Sequence, residues 1–172
     1  VSIDFFAHLS IDRLSSRHDR AGFTCGDDDL DRYFARQAGQ DSRRKAAATF
    51  VLTERGSNRA LGFYTLSATS VDLQDVPEDI RRRLPKYPQV PAIILGRLAV
   101  DRSRRGKRCG EFLLLDAFQR CMKIDDIGWM VFIVDAKNEN AIAFYQKYRF
   151  VRLSPTSDRL ILPRSTIEIA LK

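Results

Sequence analysis

Residues 93–100 constrain this chain more than any other stretch: they are apolar except for Gly96 and Arg97 and lead straight into the basic run Asp101-Arg-Ser-Arg-Arg-Gly-Lys-Arg-Cys-Gly110. A nearly continuous apolar run of this length is the pattern of a central strand covered on both faces. Beyond the basic run, Phe112, Leu113, Leu115, Ala117 and Phe118 recur at helical spacing over 110–123, and residues 130–134 form a second short apolar run. Strand, loop, helix and strand in this order make a βαβ unit.

The remaining elements are arranged around that unit. Asp27, Asp28 and Asp29 favour the amino end of a helix reaching to about Arg43, with Leu30, Phe34 and Ala38 on one face and Arg32, Tyr33 and Arg36 on another. Residues 48–53 and 60–66 read as an antiparallel pair joined by the turn-forming Glu54-Arg-Gly-Ser-Asn58. Pro77, Glu78, Asp79 and Ile80 open a short helix, after which Pro85, Pro88 and Pro91 impose an extended approach to the central strand. Residues 140–148 are an amphipathic helix, and 150–153 and 160–162 are closing strands. The fold class is α/β (α+β), and with no linker or repeat in the chain a single domain over 1–172 is expected.

Hydrophobic residues at 44% and charged residues at 30% belong to an ordinary globular protein. No apolar run approaches the roughly 20 residues of a membrane span, and the first residues lack a signal-peptide layout, so a cytoplasmic protein is expected. Cys25, Cys109 and Cys121 are odd in number and widely spaced, with no Cys-x-x-Cys or Cys/His pattern, which reads as reduced thiols and no metal. The formal charge is +7, and the cations are bunched: Arg43, Arg44 and Lys45; Arg81, Arg82, Arg83 and Lys86; then Arg102, Arg104, Arg105, Lys107 and Arg108. One bunch alone reads equally well as a solvated helix end, whereas three together favour an anionic partner.

A helix start offers unpaired N–H groups and the positive end of its dipole, so the basic loop at 101–110 suits a pyrophosphate. Its spacing matches neither the dinucleotide fingerprint nor the P-loop. Tyr145, within Asn138-Glu-Asn-Ala-Ile-Ala-Phe-Tyr145, lies on the inner side of its helix, where a tyrosine is more often a core residue than a catalyst.

Taken in order, the Arg-Leu-Ala-Val-Asp strand, the basic loop before a leucine-rich helix, and Ala-x-x-Phe-Tyr-x-x-x-x-Phe resemble the GNAT acetyltransferases. Phe23-Thr-Cys-Gly-Asp-Asp-Asp-Leu-Asp31, Gly62-Phe-Tyr-Thr-Leu-Ser67, Leu84-Pro-Lys-Tyr-Pro88 and Val134-Asp-Ala-Lys137 are similar more narrowly to the GNAT toxins of bacterial toxin–antitoxin modules, over about residues 20–165. The resemblance implies a mixed, mostly antiparallel central sheet flanked by helices, with acetyl-CoA as acetyl donor. It implies coenzyme contacts from Leu98, Ala99, Val100, Arg105, Gly106, Lys107, Arg108, Cys109, Gly110, Asn138, Asn140 and Phe144, with Tyr145 as the acid that protonates the leaving thiolate. The pattern departs from the family at Arg108, where the usual glycine lets phosphate approach the backbone and an arginine either blocks that approach or sets a guanidinium against the phosphates, and at Arg149, where an arginine in left-handed geometry costs on the order of 1 kcal/mol.

His8 and His18 both precede the first helix, which leaves no histidine placed to act as a base. An α-amine, with a pKa of about 7.7–8.0 against about 10.4 for lysine, needs none. The toxin resemblance accordingly implies the α-amine of charged tRNA as acceptor and neutralisation by a ribbon-helix-helix antitoxin, with a homodimer left open; the bunched charge of Arg43, Arg44, Lys45, Arg81, Arg82, Arg83 and Lys86 makes these residues the expected RNA contacts. The alternatives are acetylation of a protein amino terminus or a small amine, and a catalytically silent coenzyme-binding or DNA-bound regulator.

Overall fold

The computed structural model describes residues 3–172; Val1 and Ser2, at the start of the segment inspected above for a signal peptide, lie outside it. Seven strands, β1 (Leu9–Arg13), β2 (Ala48–Glu54), β3 (Gly62–Asp72), β4 (Gln89–Val100), β5 (Val131–Asp135), β6 (Val151–Arg152) and β7 (Arg159–Pro163), form one sheet in the order β1-β2-β3-β4-β5-β7-β6. Its helices are α1 (Asp28–Arg32), α2 (Ala38–Arg44), α3 (Glu78–Arg81), α4 (Cys109–Met122), α5 (Glu139–Lys147) and α6 (Arg164–Ala170). β1 with β2, β2 with β3, β5 with β7 and β6 with β7 are antiparallel, and β4 with β5 is parallel, as the βαβ reading requires. No helix among the described residues is long and apolar enough to cross a membrane.

The described residues cluster into two compact units, one reaching to Ser67 with Arg97–Ala117 added and one of Ala68–Gly96 with Phe118–Lys172. In the first unit, Phe34 stacks on Phe63 with ring centroids 4.2 Å apart and Phe23 meets Phe34 edge-on at 4.9 Å, all within a core that includes Tyr33, Ala38, Val51 and Ala99. The first helix is not regular. Between α1 and α2 the residues Tyr33–Gln37 form a π turn, and Tyr33 is buried in the core beside Phe34 rather than set on a separate face with Arg32 and Arg36. Asp27 caps the helix start by accepting from the N–H groups of Asp29 and Leu30. At the other end Lys45 is left-handed (φ 63°), and the Ala46 N–H donates to the Asp41 carbonyl at 2.9 Å. β1 escapes the sequence pattern because only Leu9 and Ile11 face inward on it.

In the second unit, Val71, Val76, Ile80, Val90, Ala92, Val131, Ile133 and Ile161 pack together, and Phe118, Phe132 and Phe150 form an aromatic group with centroids 5.2–6.1 Å apart. α5 closes with Arg149 in the left-handed region (φ 70°), the Arg149 N–H donating to the Gln146 carbonyl and the Phe150 N–H to the Tyr145 carbonyl. This is a Schellman ending, completed by the contact of the Phe150 and Tyr145 rings at 5.4 Å. α6 begins on the residue after β7 and buries Ile167; no turn residues separate the two elements, so the sequence does not announce the helix.

Candidate active site

The βαβ unit places backbone groups where a ligand can reach them. β4 pairs with β5 only from Ala92↔Val131 to Leu95↔Val134, yet it continues to Val100. Residues 96–100 therefore extend past that ladder, and such backbone N–H and C=O groups seek other partners. Ala99 is fixed from the β3 side: a Cβ on Gly62 would lie 3.0 Å from the Ala99 carbonyl oxygen and 3.1 Å from Leu113 Cδ1, so a glycine there permits the close approach.

Asp101 turns the strand into the loop. Its buried carboxylate accepts hydrogen bonds from the Thr24 N–H at 3.0 Å, the Ser103 N–H at 3.0 Å and the Ser103 hydroxyl at 2.7 Å. Desolvation acts to raise its pKa, but the bonds from Ser103 and Thr24 outweigh it and hold the carboxyl below the usual carboxylate range. The stability this supplies is complete above the unfolded carboxyl pKa of about 3.9 and is lost as pH falls through the lower folded value. Asp101→Asn should thus cost about 2 kcal/mol at pH 7 by misplacing an amide donor against N–H groups. Thermal melts of parent and variant should converge as the pH drops through the carboxylate range.

The cations of the loop are largely committed to the protein. Arg104 pairs with Glu54, Arg105 Nη2 donates to the Cys25 carbonyl at 2.8 Å, and Arg108 is bidentate to Glu111, with Nε and Nη2 each 2.8 Å from a carboxylate oxygen. Arg108 is left-handed (φ 57°), as is Gly106 (φ 72°), beside which a Cβ would meet nothing. Lys107 is exposed and forms no ion pair among the described residues. With its guanidinium folded onto the first turn of α4, Arg108 is held away from the role of a free phosphate ligand. What the loop offers a diphosphate is the N–H groups that begin α4 at Cys109 and Gly110, the Lys107 ammonium, and the positive field of its neighbours. That donor set fits the pyrophosphate of a coenzyme. Burial pushes the Cys109 thiol up, and Arg104 and Lys107 only partly oppose it, so it is no ready nucleophile.

Tyr145 lies in the second unit, on the inner face of α5 and only 5% exposed, with Phe144 and Phe150 against its ring at 5.1 and 5.4 Å. Its hydroxyl bonds to no other described residue, and burial pushes the phenol well above its ordinary value near 10. A phenol kept protonated in this way is a proton donor and not a base. Asn138 caps α5, its side chain accepting from the Ala141 N–H at 2.9 Å, while Asn140 is exposed and Phe144 half-buried. Arg43, Arg44 and Lys45 are exposed in the first unit, at the end of α2; Arg82, Arg83 and Lys86 are exposed and Arg81 half-exposed in the second, at and beyond the end of α3. His18 is buried with its Nδ1 accepting from the Ser15 N–H at 3.0 Å, and burial lowers its pKa, so it serves packing.

One cluster is absent from the sequence reading. Arg97 lies over the Tyr33 ring with its guanidinium carbon 3.5 Å from the centroid; the Tyr33 hydroxyl donates to Asp41 at 2.9 Å, and Gln37 Nε2 donates to the other Asp41 oxygen at 2.8 Å. Burial first, then the bond to Asp41, pushes the Tyr33 phenol up to about 12. The available signal was Arg97 itself, a cation inside an otherwise apolar central strand.

A βαβ core with a loop suited to a pyrophosphate and a strand running past its ladder defines an acyl-coenzyme A-dependent transferase. The Acetyltransferase (GNAT) family matches residues 12–150, and the chain belongs to it. The tRNA-acetylating toxin of Mycobacterium tuberculosis is 38% identical over 145 residues, covering 84% of each chain. A solved structure of AtaT complexed with acetyl-methionyl-tRNAfMet superposes with a TM-score of 0.83 at 25% identity, covering 95% of this chain and 99% of that one. The crystal structure of AtaTR bound with AcCoA does so with a TM-score of 0.82 at 26% identity, covering 96% and 99%.

Proposed function

We propose that this chain is a single N-acetyltransferase domain over 1–172 that moves the acetyl group of acetyl-CoA to the α-amine of aminoacyl-tRNA in the cytoplasm, blocking translation until an antitoxin binds it. The observation that carries the reading is the continuity of β4 beyond Leu95 into the Asp101 turn and the cationic loop at the start of α4. Similarity to the tRNA-acetylating toxin and to AtaT in complex with acetyl-methionyl-tRNAfMet supports the acceptor.

When bound, acetyl-CoA supplies an acetyl thioester whose carbonyl takes the amine and whose sulfur departs as a thiolate. In this reading the stretch Leu98, Ala99 and Val100 lines the pantetheine chain, and its N–H groups on the side away from β3 donate to that chain and to the oxygen on which negative charge develops. The N–H groups at Gly106, Cys109 and Gly110, with Lys107, hold the pyrophosphate; Arg105 and Arg108 shape the loop through Cys25 and Glu111. Asn138, Asn140 and Phe144 present the start of α5 to the coenzyme, and Tyr145 gives its hydroxyl proton to the sulfur. The acceptor amine, with a pKa near 8, attacks in its neutral form, and the N–H proton released as the amide forms passes through water to restore the Tyr145 hydroxyl. The antitoxin is of the ribbon-helix-helix type, and it lays an acidic or amphipathic tail over the basic surface.

Labelled acetyl-CoA, incubated with the purified chain and total charged tRNA, should leave label in the aminoacyl-tRNA fraction, removable with the amino acid when the ester is hydrolysed. Label appearing only on protein amino termini or small amines would overturn the acceptor assignment, and binding of acetyl-CoA with no transfer to any amine would favour a regulatory module.

A further inference from the structure

We infer that Tyr87 is a stacking platform for an unpaired base of the RNA partner, with Arg81, Arg82, Arg83 and Lys86 on the flanking phosphates; this rests on the proposed use of charged tRNA. At 67% exposed, Tyr87 is the most exposed aromatic side chain among the described residues. Its segment is held firmly from below. Ile80 and Val90 sit in the core of the second unit, Leu84 packs against the same cluster, and the Pro88 carbonyl accepts from the Leu73 N–H at 2.9 Å.

With those anchors turned inward, what remains outside is cationic and aromatic. Arg82 is 70% exposed in its ion pair with Glu78, a contact too exposed to compete with a phosphate. Pro88 restricts the backbone of the tyrosine that precedes it, so little freedom is lost when a base settles on the ring. The cavity beside this segment, lined by Ile80, Arg83, Leu84, Trp129 and Met130, does not include Tyr87, so a peptide seated in it would leave the ring uncovered. A bare π face among cations suits a base and its phosphates, as in proteins that grip single strands.

The contribution of a stacked ring differs from that of a cation in its response to salt. Tyr87→Ala should raise KM for charged tRNA on the order of tenfold, with kcat, acetyl-CoA affinity and the slope of log KM against log salt unchanged. Tyr87→Trp should restore KM, and its fluorescence should be quenched by a single-stranded RNA oligonucleotide but not by a duplex of equal length. The parent, whose one tryptophan, Trp129, is 4% exposed, gives the reference signal. An unchanged KM in Tyr87→Ala, equal quenching by duplex, or a defect confined to antitoxin neutralisation would overturn the inference. If the parent itself fails to acetylate charged tRNA, the functional reading falls, while the oligonucleotide titration still decides whether Tyr87 stacks on RNA.

Discussion

Tyr145→Phe is expected to lower turnover by about 10²–10³-fold while melting temperature and acetyl-CoA affinity stay within error of the parent. The variant keeps every ring contact to Phe144 and Phe150 and removes a hydroxyl that bonds to no other described residue, so packing has nothing to lose. Without that proton the thiolate must leave as an anion or take a proton from water. Because burial holds the phenol above its ordinary pKa, the donor form persists as pH rises, and parent turnover should show no alkaline decline from this group below about pH 10. Steady-state kinetics at saturating acetyl-CoA between pH 6 and 9.5 measure both points. Equal turnover in parent and variant would remove Tyr145 from the chemistry.

Reversing Arg81, Arg82 and Arg83 to glutamate should raise KM for charged tRNA on the order of 100-fold near physiological salt and relieve toxicity, with acetyl-CoA affinity as the internal control. If each arginine neutralises one phosphate, the slope of log K against log salt falls by about 0.7–0.9 per side chain removed, for all tRNAs alike. Folding should survive. Arg82 and Arg83 are exposed, Arg81 half-exposed, and the Arg82 ion pair with Glu78 is of the surface kind whose loss costs about 0–1 kcal/mol. A triple variant that acetylates charged tRNA with unchanged KM and salt dependence would take RNA off this surface.

Where the chain carries its own punctuation, the sequence was sufficient. The apolar run at 93–100, the cations and glycines after it, and the helical spacing from Phe112 to Phe118 are contiguous, so strand, loop and helix could be read with only small shifts of boundary. The same holds for Arg149, whose left-handed backbone follows from the glycine usually found there, whereas the equally left-handed Arg108 has no counterpart in the sequence reading. What stayed hidden is tertiary. Glu54 lies 50 residues from Arg104, and Cys25 lies 80 from Arg105, so no local pattern foretells that these two guanidinium groups are spoken for. β1 and α6 were missed because each buries few side chains and lacks clear turn residues at its boundary. The pairing of Tyr33 with Asp41 needed the π turn, which no periodicity analysis assuming 3.6 residues per turn can supply.

That π turn bears on how related chains are compared. One added residue rotates everything beyond it by about 100° around the helix axis, so α1 and α2 keep separate phases and Asp41, eight positions after Tyr33, meets it as a seventh would in a regular helix. In any relative lacking the added residue, the alignment gap belongs within Tyr33–Gln37 and not in the loop ahead of α1. A gap placed in the loop would pair each residue of α1 with its neighbour's counterpart, and the inward position of Leu30 would be scored against a surface one.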